Sequence, residues 1–365
     1  MNRLRILALA VFWTSGCLDV AEHRANVDAR VGQAESEGAK ISVVGGRAAV
    51  RNFRPGHLHL WAGAPDLRFT LASEADAGAD WELFVENTMP GAQLEVEYEG
   101  QAVEATQTEQ AAPTKQRWAF TLPAAGRAEL HLGVTDAQDE TPFRYAIFAD
   151  VQDAIDDVQD IYGRINDDPS IRFAVMSGDL TEQGESGQLE RFQRELAELA
   201  VPCFTTLGNH ELGIADDRYH RYFGRGSHHF SFHGAHFTLL DSASATLAPR
   251  VYAWLDDWLQ QGNDAFHSVY MHIPPLDARG IRNGAFASRA EANMLLGRLA
   301  RAGVDITVYG HVHSYYAYSN AGIPAYITGG GGAIPERLDN MGRHFLTVDV
   351  DPTTQLFQTG IVRVD

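Results

Sequence analysis

Five short blocks of this 365-residue chain place side chains that bind divalent cations at regular points: Asp150-Val-Gln152, Gly178-Asp179, Gly208-Asn209-His210, His272 and Gly310-His311-Val-His313. Carboxylate, imidazole and amide oxygen suit hard or borderline metals such as Mn, Fe or Zn, and no block offers a thiolate. Each block follows an apolar run of strand length: Phe143 to Ala149, Phe173 to Ser177, Val201 to Leu207, Ser268 to Met271 and Val304 to Tyr309. Ligands of open α/β sheets sit beyond the carboxyl ends of strands, so five such ends can converge on one centre. In extended backbone, residues two apart share a face, which predicts that His311 and His313 project together, as do Asp150 and Gln152. Isolated histidines such as His57, His131 and His220 read instead as satisfied core or surface groups.

Between these strand ends the periodicity is helical. Val151, Ile155, Val158, Tyr162 and Ile165 recur at helical spacing, as do Leu189, Phe192, Leu196 and Leu199. Ser288-Arg-Ala-Glu291 has capping-box spacing at the start of a helix that Gly303 closes. Residues 143–365 therefore read as an α/β domain. Residues 41–138 differ: Leu67 to Leu71, Trp81 to Val85, Leu94 to Tyr98, Trp118 to Leu122 and Ala128 to Leu132 alternate with period two and predict a small antiparallel β-sandwich of Ig-like or fibronectin-like shape. His228, His229, His233 and His236 fall among phenylalanines and read as packing residues. Cys203, in an apolar stretch, reads as a buried inert thiol.

The five blocks resemble the calcineurin-like metallophosphoesterase family, whose motifs run DxH, GDxxD, GNH[DE], H and GHxH in the same order. The likeness spans residues 143 to 350, with Leu240-Asp241-Ser242 and Gly329 to Gly332 resembling its less specific segments. It implies a two-sheet αββα sandwich and two divalent metal ions. One ion would be held by Asp150, Gln152, Asp179 and His313, the other by Asp179, Asn209, His272 and His311, with Asp179 bridging. A hydroxide between the metals would be the nucleophile. His210 resembles the acid that protonates the leaving oxygen, and Glu211 a group that orients the ligands. One departure stands out: where the family usually has histidine, the first motif carries Gln152, whose amide oxygen is a weaker ligand than imidazole for a transition metal. Glu182 also replaces the tyrosine of purple acid phosphatases, which disfavours that subfamily.

The function this implies is hydrolysis of a phosphate monoester or diester, on a small molecule or a lipid head group. The alternative is a catalytically weak or inactive surface binding protein that keeps the fold. Substrate choice would fall to the loops 212–227 and 273–288. A net charge of −19 repels polyanions, so no nucleic-acid partner is expected. At the N-terminus, Arg3 and Arg5 precede the apolar run Ile6 to Trp13, which has the layout of a secretory signal in residues 1–16. Thr14-Ser15-Gly16-Cys17 resembles the lipobox of bacterial lipoproteins, implying lipidation of Cys17 and a polar tether over residues 17–40. Leu18, rather than Asp, follows Cys17, which favours the outer membrane for an exported, lipid-anchored protein.

Overall fold

The computed structural model describes residues 19–74, 78–123, 125–212, 217–277, 280, 284–335 and 341–364. Helix α1 (19–28) leads into eleven strands: β1 (Gln33–Ser36), β2 (Ala39–Val43), β3 (Ala48–Arg54), β4 (His57–Ala62), β5 (Leu67–Ser73), β6 (Ala79–Glu86), β7 (Gln93–Tyr98), β8 (Gln101–Val103), β9 (Ala105–Ala112), β10 (Lys115–Leu122) and β11 (Gly126–Gly133). They form two facing sheets, ordered β1-β2-β5-β11-β7-β8 and β3-β4-β6-β10-β9. Every neighbouring pair is antiparallel except β4 with β6, which run parallel. The period-two residues form the inner faces, with Phe69, Leu71, Leu83, Val85, Phe120 and Leu130 in one buried cluster. The five alternating segments are thus strands β5, β6, β7, β10 and β11.

The second half comprises β12 (Phe143–Phe148), α2 (Gln159–Asn166), β13 (Ile171–Ser177), α3 (Ser186–Glu195), β14 (Cys203–Thr206), α4 (Arg218–Tyr222), β15 (His228–Phe232), β16 (Ala235–Leu240), α5 (Pro249–Gln261), β17 (His267–Met271), α6 (Arg289–Arg301), β18 (Ile306–Tyr309), β19 (Tyr315–Asn320), β20 (Ile323–Thr328), β21 (His344–Asp351) and β22 (Leu356–Arg363). Its sheets are ordered β14-β13-β12-β21-β22 and β15-β16-β17-β18-β20-β19. The ligand-bearing strands are parallel to their ligand-bearing neighbours within each sheet: β12, β13 and β14 in one, β17 and β18 in the other. Both faces of these strands are buried, so they read as continuous apolar runs. On β12, Tyr145 and Ile147 face the opposite sheet, while Ala146 and Phe148 pack with α2 and α3. Between the sheets Tyr270 donates its hydroxyl to Tyr145 at 2.8 Å, and Phe173 meets Phe237 edge-on at 5.2 Å. The second sheet carries α5 and α6 on its outer face through Leu255, Leu259, Leu295 and Leu299. This is the expected αββα sandwich.

Ser288 caps α6 by accepting from Glu291 N–H, and Gly303 follows its end at φ +72°. Glu291 does not complete the reciprocal half of the box: its carboxylate accepts from Thr246, Leu247 N–H and Tyr252. Cys203 is buried, and burial raises its thiol well above the ordinary range. His229 stacks on His236 and Trp258, consistent with packing. Among the described residues no helix is long and apolar enough to cross a membrane.

One expectation is corrected. Residues 19–40 are not free tether: 19–28 are helical, with Ala21, Arg24, Ala25 and Asp28 buried against the second half, and 33–43 form the first hairpin. Their polar composition misleads because two of the charges, Arg24 and Asp28, are buried and paired inside the protein. The sandwich sheets accordingly begin at Gln33 rather than 41. The two halves are joined by Asn87, whose amide donates to Ala62 O and Cys203 O and accepts from Cys203 N–H, covering the outer edge of β14. Arg51 lies 4.2 Å above the Tyr222 ring, and Arg225 donates to Gly45 O.

Candidate metal centre

Seven expected ligands, Asp150, Gln152, Asp179, Asn209, His272, His311 and His313, lie just beyond the carboxyl ends of β12, β13, β14, β17 and β18. Extended backbone does not aim them. Asp150 (φ 62°), Gln152 (51°), Asp179 (52°) and His311 (70°) all occupy the left-handed region, and Gln152 opens a 3-10 turn (Gln152–Asp156). The prediction that each i, i+2 pair projects together from extended backbone is therefore corrected: sharp left-handed turns bring the side chains together. Each such residue costs about 1–3 kcal/mol and persists only where its surroundings hold it. Here the holding bonds are Val151 N–H to Asp179 O, Gly310 N–H to His272 O and Ala333 N–H to Asp150 O.

Asp179 is the hub. Its Oδ2 lies 2.9 Å from Gln152 Nε2 and 3.2 Å from His272 Nε2, while Oδ1 accepts from His210 N–H at 3.0 Å. Two groups of donor atoms share it, Asp150–Asp179–His313 and Asp179–His272–His311, the atoms of each group lying within 4.8 Å of one another. The two amides extend these groups: Gln152 Nε2 is 3.1 Å from His313 Nε2, and Asn209 Oδ1 is 3.1 Å from His272 Nε2. Two rings are aimed from behind, because a carbonyl can only accept: His272 Nδ1–H donates to Ser177 O and His313 Nδ1–H to Ile334 O, both at 2.9 Å. That leaves each Nε2 facing the hub, the tautomer a metal-binding imidazole needs. Two donor groups sharing one carboxylate, without thiolate, fit two hard or borderline divalent ions.

The electrostatics are those of a concentrated charge site. Burial alone would raise the Asp179 carboxyl, but His272, by charge and hydrogen bond, and His210 hold it well below the usual carboxylate range. His272 shows the reciprocal effect: burial would lower it, yet Asp179 and Asp150 lift it to about 9. Glu211 is fully buried, and burial together with the Asp179 charge pushes it up to about 7. It accepts from Thr181 N–H, Thr181 Oγ and Gly208 N–H, tying the loop after β13 to the loop after β14. His210 is half-buried, its side chain 28% accessible, as are Asn209 and His311. Its Nδ1–H donates to Glu182 O, and Nε2 lies 3.8 Å from Asp179 Oδ2.

The residues read from the sequence as site members thus come together, apart from Cys17, which lies outside the described residues. The sequence did not reveal the backbone carbonyls of Ser177 and Ile334 or the role of Thr181, because main-chain acceptors leave no residue-type signal. A signal did exist for close packing: a Cβ added to Gly208 would sit 2.1 Å from Asp179 Oδ1. Gly329 and Gly331 donate to Ser314 O and Ala149 O, so their N–H groups tie this glycine run to the segments after β18 and β12.

Residues 143–315, which contain all seven expected ligands, match the calcineurin-like phosphoesterase family. A 3',5'-cyclic-nucleotide phosphodiesterase of Nostoc sp. is 24% identical over 158 residues, covering 40% of this chain. The chain spans 58% of that relative's length. Among solved structures, a dimetal phosphatase of Danio rerio is 14% identical and covers 61% of this chain and 99% of its own, with a TM-score of 0.44. PhoD is 10% identical over 82% of this chain and 87% of its own, with a TM-score of 0.48. The ordered blocks, the strand ends that carry them and the family match agree: residues 143–315 of the chain form a calcineurin-like phosphoesterase domain.

Proposed function

We propose that the protein is an exported hydrolase of phosphate monoesters or diesters acting through two divalent metal ions. The observation that carries this reading is the carboxylate of Asp179 shared by two donor groups, with the half-buried His210 beside it. When bound, the two ions would draw in the phosphate, polarise its phosphorus and lower the pKa of water towards ~7. Asp150 and Asp179 supply the charge that holds them, Gln152 and Asn209 supply neutral donors, and His272, His311 and His313 complete the two sets. His210, fixed through Nδ1–H on Glu182 O, presents Nε2 to the leaving oxygen and protonates it as the ester bond breaks. Glu211 keeps the loops of Asp179 and Asn209 in register.

The Nostoc relative's named activity supports testing diesters alongside monoesters. The test is Mn-dependent hydrolysis of p-nitrophenyl phosphate and bis-p-nitrophenyl phosphate by the chain from residue 18, with Asp179→Asn as control. Turnover lost in the control supports the metal mechanism. No turnover with Mn, Fe or Zn, together with a metal content near zero per chain, would favour the binding-protein alternative. We further propose export and anchoring through lipidated Cys17, on the basis of Arg3, Arg5, the apolar run and the lipobox-like residues before it. Incorporation of labelled fatty acid that is abolished in Cys17→Ser is the expected result; equal labelling would refute it.

A further inference from the structure

Helix α1 lies outside the matched segment 143–315, yet it carries the fully buried Arg24 and the buried Asp28. Four residues apart, they project from one face. Arg24 Nε donates to Asp241 Oδ2 at 2.6 Å and Nη2 to Asp241 Oδ1 at 3.1 Å and Ser244 Oγ at 3.0 Å. Asp28 accepts from Gly226 N–H at 2.8 Å and Ser227 N–H at 2.9 Å, with His220 Nε2 at 3.1 Å. Ala21 and Ala25 let the helix lie close against the cluster containing Leu240, Leu247 and Val251.

From these two anchors the contacts run to two different ligands. Asp241 begins the loop after β16, and the next residue, Ser242, accepts from the N–H of Ile273, which follows His272 directly. On the other side, Gly226 O accepts from Thr206 Oγ at 2.8 Å, and a Cβ on Gly226 would lie 2.3 Å from Leu207. Thr206 and Leu207 lead straight into Gly208-Asn209. Ser227 Oγ links the two arms by accepting from Asp241 N–H. Asn209 and His272 then meet at 3.1 Å, so the chain of contacts closes on itself.

We propose that α1 is a positioning element of the metal centre, Arg24 setting the strand end of His272 and Asp28 that of Asn209. This rests on the metal-site reading above. A guanidinium fork on a carboxylate fixes angle as well as distance, which a generic apolar contact does not. A phosphoesterase domain cut at residue 143 would keep all its ligands but lose this brace.

The test uses the full chain with Arg24→Met plus Asp241→Leu, which removes both buried charges together and so preserves folding better than either alone. Amide exchange of the metal-free protein is read first. Exchange in 206–212 and 271–273 is expected to quicken by about tenfold or more while β12 and β13 stay protected. Mn titration should show one of two sites weakened by about 10–100-fold, the usual effect of losing an orienting partner. In Asp28→Asn, exchange should quicken in 206–212 but not in 271–273. Native exchange in both segments of the double variant, or two native Mn affinities, would overturn the proposal. Absence of Mn binding by the native chain would instead sink the metal-site reading, and the exchange data would still decide the brace.

Discussion

Substituting Gly208 by alanine tests whether the hub is as tightly fitted as its geometry implies. The added methyl would lie 2.1 Å from Asp179 Oδ1 and 2.4 Å from Asp179 N. Carbon atoms do not approach oxygen closer than about 3 Å, so the Asp179 carboxylate must move by roughly 1 Å. A displacement of that size at a reacting centre costs on the order of 100-fold in rate. Overpacking should cost only about 1–3 kcal/mol of stability. Gly208 has no left-handed φ, so alanine adds no backbone strain there and steric displacement is the whole perturbation. Gly163 and Gly187 are the controls, since a Cβ at either meets nothing within 4 Å. Both are helical, and alanine there should stabilise by up to about 1 kcal/mol with unchanged rates. The assay is kcat/KM on bis-p-nitrophenyl phosphate with saturating Mn, beside a thermal melt. A folded Gly208→Ala protein with native kcat/KM would refute the reasoning.

Gln152→His should tighten metal binding by about tenfold, roughly 1.4 kcal/mol, because imidazole outranks an amide oxygen and histidine tolerates a left-handed φ; an unchanged Mn titration would count against Gln152 as a ligand. Asn87→Ala should cost about 3 kcal/mol, since it leaves the N–H and C=O of Cys203 without their partner in a buried seam; urea unfolding reads this, and a loss under 1 kcal/mol would show the seam is hydrated. Burial holds the His228 ring near 4, His229 near 2 and His267 near 3, below the ordinary value of 6.5. The unfolded rings take protons first, so their contribution is complete above pH 6.5 and is lost as pH falls, at up to about 1.4 kcal/mol per pH unit for each ring. Urea midpoints from pH 7.5 to 4.5 should fall. Midpoints that rise would mean relief of the acidic net charge dominates.

Much of the fold was legible because burial writes a period into the chain. The two-sided burial of β12, β13 and β17 leaves unbroken apolar runs, and the one-sided burial of β5, β6 and β11 leaves alternation. The segment at 19–40 was misread because its pattern lacks such a period: Arg24 and Asp28 look like solvent-facing charges until Asp241, Gly226 and Ser227, some 200 residues later, are brought to them. A separation of 116 residues likewise hid Asn87, whose amide pairs with Cys203 across the two halves.

The sequence by itself determined which side chains can hold a metal and the order in which strands deliver them, since residue type and local spacing carry that information. Tertiary structure alone decided how the ligands are aimed. Left-handed turns at Asp150, Gln152, Asp179 and His311, carbonyls of Ser177 and Ile334 behind the rings, and the brace from α1 all depend on backbone groups distant in the chain. Such groups are chemically identical at every residue, so only the folded geometry says which of them meet.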